Sequence, residues 1–434
     1  MEQLLPPELD AIKAIPFWKN PSAWIKEQNL GRSYWVFFSV ALFFDAGFSI
    51  YVFLFNLYLL DLHFNERAIG LVGGAQTLGS VVGLIPAGML AQKIGIRRLL
   101  FFCLSTAPLL SVIRAWWMWE PAQMGLAFVT GLALCCWGIC FLPAVARLTT
   151  EKNRTTGFSL IFSASIATSA LGGVVCGYLP KWLELTGIAM PGAEVKQLIL
   201  MASCGLAAFG LIPALRLALP PQTEGEADTE FEPPGGRWFQ NLKLSPFLLR
   251  FLPLMALWSA VQAGFNPFAN IYLSNDLRIP MTEIGLIFST VQIVQFCLGL
   301  VAPFVFRALG LVNGVAATQI FAALALGCLA GTHNSKLAIL AYLIFAAAQW
   351  MSAPGLYNVL MNETPDKERS MASAMTMLCN ALAGSAATAG AGILFTSFGY
   401  PSVLFGIAAG ALAVATLFRL MIKPAKPLEV VSQT

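Results

Sequence analysis

The stretch GMLAQKIGIRR, residues 88–98, holds three cations, Lys93, Arg97 and Arg98, within six residues and contains no acid. Charged residues make up only 11% of this 434-residue chain, so such a cluster is exceptional here. A run free of charges precedes it (68–92), and a run broken only by Arg114 follows it (99–119). We interpret the stretch as a short charged loop between two long apolar helices.

The rest of the chain is equally apolar. Hydrophobic residues make up 57% of it. Charged residues make up 11%, less than half of the roughly 25% found in a typical soluble domain. A spanning helix needs roughly 20 consecutive apolar residues. Such runs lie at 33–60, 68–92, 99–119, 121–146, 155–180, 197–215, 251–275, 284–306, 308–335 and 337–362. The runs are continuous rather than alternating, which favours an all-α integral membrane protein over a β-barrel.

The last run, 370–418, is long enough to cross a membrane twice. It contains Phe398-Gly399-Tyr400-Pro401, a turn signal. The sequence therefore predicts twelve transmembrane helices.

The distribution of cations predicts the orientation. With the N-terminus inside, twenty of the 26 Lys and Arg residues fall on the inner side. We expect a multi-pass protein of the cell (inner) membrane with both termini cytoplasmic and the lipid bilayer as its partner. This bias also explains the net charge of +4, so no nucleic-acid partner is expected.

An internal repeat divides the chain at an offset of about 215 residues. Residues 151–155 (EKNRT) return as 366–370 (DKERS), Asn56-Leu57-Tyr58-Leu59 returns as Asn270-Ile271-Tyr272-Leu273, and glycines recur at matching positions. We expect two pseudo-symmetric six-helix bundles joined by a polar linker. The predicted segments are an N-terminal segment (1–30), a first bundle (31–218), a linker (219–245), a second bundle (246–422) and a tail (423–434).

The opening stretch resembles the loop between helices 2 and 3 of the major facilitator superfamily, which reads approximately Gly-x-Leu-Ala-Asp-Arg/Lys-x-Gly-Arg/Lys-Arg/Lys. The matching residues are Gly88, Leu90, Ala91, Lys93, Gly95, Arg97 and Arg98, while Gln92 and Ile96 depart from the pattern. Glu151–Arg154 and Asp366–Arg369 resemble the acid-x-x-Arg loops of that family. The resemblance implies a secondary transporter, expected to work as a monomer, with these loops as its gates. It also implies that an acid at the position of Gln92 latches the outward-open state, so we expect a weaker latch here.

Polar residues at helical spacing indicate where a solute could bind. Asp45, Ser49 and Asn56 share one face of the first run, and Gln262, Asn266 and Asn270 share a face of its repeat partner. By the resemblance, these two helices line a central cavity between the halves. Gln292 and Gln349 complete the predicted substrate- and proton-binding set. Gln76 and Ser80 are weaker candidates, because polar side chains also join helices within membranes.

Asp45 is the sharpest single candidate. It lies about thirteen residues beyond Arg32, so roughly 19 Å along the helix and near the middle of the membrane. An ionisable group at this depth is costly, which favours proton coupling. The alternative is a permanently protonated carboxyl group hydrogen-bonded to a neighbouring helix.

Other residues receive structural interpretations. Small residues at four-residue spacing predict close helix packing, and they are Ser165, Ser169, Gly173 and Gly177 in one run and Gly384, Thr388 and Gly392 in another. Arg114 lies beside three tryptophans near a helix end, where it is expected to snorkel to the interface. Cys136 and Cys140 are interpreted as ordinary buried cysteines rather than metal ligands.

No enzyme motif is present, since the chain has no Walker loop, HExxH or GxSxG sequence. We expect no enzyme activity, no cofactor and no bound metal. The predicted function is alternating-access transport of a small neutral, cationic or amphipathic molecule, coupled to protons through Asp45. The alternatives are an uncoupled facilitator, an exporter of lipid-like or metal substrates, and a non-transporting receptor on the same fold.

Overall fold

The computed structural model describes residues 30–150, 153–185, 192–219, 245–332, 334–365 and 368–422, and these ranges are helical with short connections. Eleven of their helices are long and apolar enough to cross a membrane. The helices are α1 (Arg32–Asp61), α2 (Glu66–Ile94), α3 (Ile96–Trp116), α4 (Glu120–Leu148), α5 (Arg154–Leu185), α6 (Gly192–Phe209), α7 (Leu211–Leu215), α8 (Pro246–Phe265), α9 (Ala269–Asn275), α10 (Met281–Leu309), α11 (Leu311–Gly331), α12 (Ser335–Glu363) and α13 (Arg369–Met421).

We call residues 30–219 the N half and residues 245–422 the C half. Because successive long helices run antiparallel through short connections, their ends fall into two groups. The end of the molecule that holds Arg32, Gly95 and Pro246 is the linker end, since it flanks the predicted linker. The opposite end, which holds Asp61 and Glu66, is the far end.

The connection between α2 and α3 is a single residue, Gly95, with a φ angle of 85°. This left-handed conformation favours glycine, and Gly310 repeats it between α10 and α11 with a φ angle of 78°. The charged stretch is therefore shorter as a loop than we expected from the sequence. Lys93 lies in the last turn of α2, while Arg97 and Arg98 begin α3.

The longest helix, α13, extends over 53 residues and has one interruption. Gly399 has non-helical angles of φ 74° and ψ 169°, and Pro401 follows it. This interruption falls on the predicted turn signal.

The predicted repeat is visible in the contacts. Tyr58 Oη donates to the Ala115 carbonyl at 2.9 Å, and its counterpart Tyr272 donates to the Leu329 carbonyl at 3.3 Å. Both bonds tie the far end of a long helix to the end of a neighbour. The same brace thus occurs at equivalent positions in the two halves.

The described contacts between the halves concentrate toward the far end. In this part of the molecule α2 packs on α13, and α5 packs on α10. Ser385 Oγ donates to the Gly74 carbonyl at 2.7 Å, and Ser289 Oγ donates to the Ala170 carbonyl at 2.6 Å. The two halves therefore meet closely at the far end of the described structure.

Candidate functional site

Asp45 lies near the middle of α1 and is partly buried. Its carboxylate accepts a hydrogen bond from the Ser165 hydroxyl of α5. Ser165 was predicted only as part of a packing surface, so its role as the partner of Asp45 is an addition from the structure. The contact fixes the carboxylate between two helices of the N half.

Ser49 lies one turn further along α1. Its hydroxyl donates to the Ala46 carbonyl at 3.0 Å, so it closes a bond within its own helix. A Cβ atom built on Gly172 of α5 would lie 3.0 Å from Ser49 Oγ. α5 therefore approaches α1 closely beside Asp45.

A break in the helical structure positions the amides of the C half. Between α8 and α9, residues Asn266–Phe268 form one turn of 3₁₀ helix with Pro267 at its centre. Asn266 and Gln349 of α12 exchange two hydrogen bonds of 3.1 Å each. Gln349 is buried while Asn266 is exposed, so the amide pair begins in the core of the C half and ends at its accessible surface.

Gln262 and Gln292, the remaining predicted binding residues of the C half, are partly exposed. Gln262 lies one turn before Asn266 in α8. Gln292 lies near the middle of α10, about one turn toward the linker end from the contact residue Ser289.

Asn56 and Asn270 form a reciprocal contact between the halves. Asn56 Nδ2 donates to the Pro267 carbonyl at 2.8 Å, and Asn270 Nδ2 donates to the Phe53 carbonyl at 2.9 Å. Each amide thus bonds to the residue three positions before its repeat counterpart. In this conformation, two residues predicted to bind substrate hold the halves together at the far end.

Glycines make the closest contacts at the far end. A Cβ atom built on Gly70 of α2 would lie 2.8 Å from the Thr388 carbonyl oxygen and 2.9 Å from Gly392 Cα in α13. A Cβ atom on Gly285 of α10 would lie 2.9 Å from Gly177 Cα in α5. Real Cβ atoms do not approach other atoms so closely, so larger residues would separate these helices.

Several of the small residues behave as predicted. Gly173, Gly177, Thr388 and Gly392 all lie in the contacts between the halves. Gly384 differs, because a Cβ atom there would face Ala263 and Ser259 of α8 at 3.5 Å, within the C half.

Arg114 does not snorkel as expected, since only 1% of its surface is exposed. Its side chain points into the N half, where Nη1 donates to Gln76 Oε1 at 2.6 Å and the guanidinium lies 4.5 Å from the Phe55 ring centre. Rotation toward the interface would remove both contacts. The neighbouring tryptophans are exposed, as an interfacial belt requires.

The residues of the predicted gates lie at the linker end. Gly88 is buried, whereas Gln92, Lys93, Gly95, Arg97 and Arg98 are exposed. Arg97 donates to the Leu215 carbonyl at 3.0 Å, which ties the start of α3 to the end of α7.

In the other two loops, Arg154 begins α5, and Arg369 Nε donates to the Met361 carbonyl at 3.0 Å near the end of α12. Glu151 and Asp366 lie outside the described residues.

All nine cysteines are free thiols, and Cys136 and Cys140 are buried. Among the described residues, no group of three His, Cys, Asp or Glu side chains is placed to hold a metal ion.

Two halves built alike, both of membrane-crossing helices, meet at one end and carry polar residues between them. This arrangement is typical of membrane transporters. The family model described as Major Facilitator Superfamily matches residues 37–388 and 259–433. The chain belongs to this family and is a membrane transporter rather than an enzyme.

Relatives and solved structures agree with this assignment. A gallate transporter of Pseudomonas putida is 26% identical over 202 residues, which is 45% of this chain and 42% of the relative. The aligned part therefore spans less than half of that transporter.

The nucleoside transporter NupG (D323A mutant) has a TM-score of 0.72 at 16% identity, over 90% of this chain and all of its own. The xylose transporter XylE from E. coli, in its inward-open conformation, has a TM-score of 0.68 at 14% identity, over 91% of this chain and 97% of its own. At these identities the likeness shows the fold alone.

Proposed function

We propose that this transporter moves a small organic solute by alternating access and couples the movement to protons through Asp45. The observation that carries the proposal is the Asp45–Ser165 pair, a carboxylate held near the middle of a thirty-residue membrane helix. A carboxylate at this depth is expensive to keep ionised without a function. Reversible protonation there would let its charge follow the transport cycle.

The proposed topology has twelve crossings, with α13 crossing twice around Gly399. It has two six-helix bundles, 31–218 and 246–422, joined by the linker 219–245. Both termini are placed in the cytoplasm of a cell whose inner membrane holds the protein. With this orientation, closure at the far end makes the present conformation inward-facing.

The proposed binding region lies between the halves on the linker side of the far-end contacts. It combines Asp45 and Ser49 of α1 with Gln262, Asn266, Gln292 and Gln349 of the C half. Asn56 and Asn270 would enter this region when the far end opens and their contacts with the opposite half break. The proposal treats the protein as a monomer.

The expectation of a neutral, cationic or amphipathic solute rests on the lack of an Arg or Lys pair in the cavity helices. Arg114 of the neighbouring α3 is a buried cation that contacts Gln76 of α2, so we add singly charged anionic solutes to the compounds to test. The gallate transporter relative makes gallate the first compound to test.

The test of coupling is gradient-driven uptake by purified protein in proteoliposomes, with gallate as the first of a set of labelled solutes. We expect Asp45→Asn to abolish accumulation driven by a pH gradient while solute exchange without a gradient continues. The amide keeps the shape of the side chain but no longer takes up a proton at cellular pH.

Asp61→Asn is the matched control, because Asp61 ends the same helix and pairs with Lys196 at 2.6 Å near the surface. This variant should keep gradient-driven accumulation. Unchanged gradient-driven accumulation in Asp45→Asn would show that another group carries the proton. No gradient-driven accumulation in the wild type would show an uncoupled facilitator.

A further inference from the structure

Arg114 is a buried cation whose charge has no carboxylate partner among the described residues. Its described contacts are the hydrogen bond to Gln76, the Phe55 ring and nearby uncharged groups, while its Nε atom is buried without a hydrogen bond. A cation in such a site has lost most of its hydration, and a ring face and an amide compensate only part of that loss. A nearby anion would supply the missing compensation.

Arg114 also determines which way the Gln76 amide points. A guanidinium group only donates hydrogen bonds, so the atom of Gln76 that faces it must be the carbonyl oxygen. The NH₂ group of Gln76 must then point away from Arg114. The buried cation therefore fixes the orientation of the Gln76 amide. Its two N–H donors point to the side opposite Arg114.

The direction of Gln76 on α2 identifies that other side. Leu78, Val82 and Ile85 are 39–51% exposed and mark the face of α2 that points outward to lipid. At 100° per residue, Gln76 lies between about 120° and 180° away from them around the helix. Gln76 is nevertheless partly exposed, so its accessible amide faces the interior.

The position of Gln76 along α2 places it next to the closed contact between the halves. Gly73 lies about one turn closer to the far end than Gln76 and contacts α13. A Cβ atom on Gly73 would lie 3.2 Å from Thr388 Cγ2. Gln76 therefore lies on the linker side of this contact, within the region proposed to bind solute.

The internal repeat indicates that the fold itself does not require this cluster. By the offsets of the repeated glycines, asparagines and tyrosines, the C-half counterparts of Arg114, Gln76 and Phe55 are Cys328, Val291 and Ala269. The C half forms the same helices and the same tyrosine brace with these three uncharged residues. A cation kept in one half only is better explained by a ligand than by folding.

We propose that Gln76 donates its Nε2 hydrogens to a carboxylate group of the transported solute, and that Arg114 is a positioning residue which orients this amide and supplies the positive charge behind it. The inference rests on the transport function above and narrows its substrate class to organic carboxylates. It does not depend on proton coupling, because the carboxylate is recognised in the binding step.

The experiment measures thermal stability of the purified full-length protein in detergent, without any gradient. The probes are benzoate, lactate and succinate, each compared with its neutral amide: benzamide, lactamide and succinamide. We expect at least one carboxylate to raise the melting temperature in a saturable manner and its amide to have no effect. Equal responses to acid and amide, or no response to any of the three acids, would overturn the proposal.

Variants of Gln76 test the contact itself. Gln76→Met removes the donors at nearly constant volume and should weaken carboxylate binding at least tenfold. Gln76→Glu should abolish it, because its carboxylate would pair with Arg114 and repel the solute. Gln197→Met is the matched control, since the amide of Gln197 bonds to the Ala115 carbonyl beside Arg114 at 2.9 Å. It should keep the preference for carboxylates even where the melting temperature falls.

Variants of Arg114 separate positioning from packing. Arg114→Lys keeps the charge and a donor and should retain part of the preference for acid over amide, whereas Arg114→Met should lose it. If Arg114→Met does not fold, the Gln76 variants decide the matter. Wild-type carboxylate affinity in Gln76→Met would contradict the assigned contact. The Asp45 test compares uptake with and without a pH gradient over a set of solutes. If no carboxylate binds, that comparison is still made with the solutes that lack a carboxylate, so the two proposals fail separately.

Discussion

The N half and the C half are built alike, and the features they share hold the far end of the molecule closed. Gly70 packs against Thr388 and Gly392, while Gly285 packs against the equivalent residues Gly173 and Gly177. The asparagine contacts and the tyrosine braces repeat in the same way. These features lie toward the far end of the described structure, so the duplicated unit supplies a symmetric closing surface.

The two halves differ in their charges. Asp45 corresponds to Ser259, which donates to the Asn380 carbonyl at 2.8 Å, and Arg114 corresponds to Cys328. The C half instead offers neutral amides such as the Asn266–Gln349 pair. We infer that the repeated residues close the far end, whereas the unrepeated residues Asp45 and Arg114 of the N half supply the charges that act on the proton and the solute.

The largest expected effect comes from breaking the symmetric closure. A leucine at Gly285 or at Gly70 would overlap the backbone of the facing helix, and such overpacking costs about 3 kcal/mol, or roughly 100-fold in the population of the closed far end. Both variants should lose transport and show longer distances between spin labels placed across the far end.

Gly327→Leu is the control, because no atom lies within 4 Å of a Cβ at Gly327. If only one of the two far-end variants opens the contact, the halves do not contribute equally to closure.

A smaller effect is expected at the reciprocal asparagine contact. Asn56→Ala or Asn270→Ala removes one hydrogen bond between the halves, worth about 1 kcal/mol or roughly fivefold in population. Each variant should shift the same spin-label distances toward an open far end, and by similar amounts if the contact is symmetric. A response to only one of them would contradict the symmetry.

The smallest effect is expected at Gln92, whose C-half counterpart by the glycine offset is Arg307. Gln92→Asp restores the acid of the family motif on an exposed turn, where a charge contact contributes about 1 kcal/mol or less. The population should move roughly twofold toward the conformation with an open far end, as measured by the same distances. Gln92→Asn, which adds no charge, should leave them unchanged.

Much of the fold could be predicted from the sequence because its causes are local or periodic. Apolar length defines the helices, and the 215-residue offset pairs Gly70 with Gly285 and Gly177 with Gly392 before any contact is known. The turn at Gly95 was expected in the right place, although a single left-handed glycine proved sufficient for it.

The site was less accessible to prediction because its contacts join distant residues. No spacing rule connects Asp45 to Ser165, which lies 120 positions away on another helix. Arg114 was misinterpreted because its position near a helix end suggested the interface, whereas its rotamer points inward to Gln76 and Phe55. One sequence feature could have indicated a special role for Arg114: its repeat counterpart at position 328 is a cysteine and not a cation.

The glycine contacts have a consequence for the speed and reversibility of the cycle. Glycine has no side chain to immobilise, so pressing α2 against α13 and α5 against α10 costs no rotamer entropy at these positions. The contact gains dispersion energy only while the backbones touch, and it loses that energy over less than an ångström of separation. Such a contact forms quickly and the helices separate again easily, which suits a step that must reverse at every turnover.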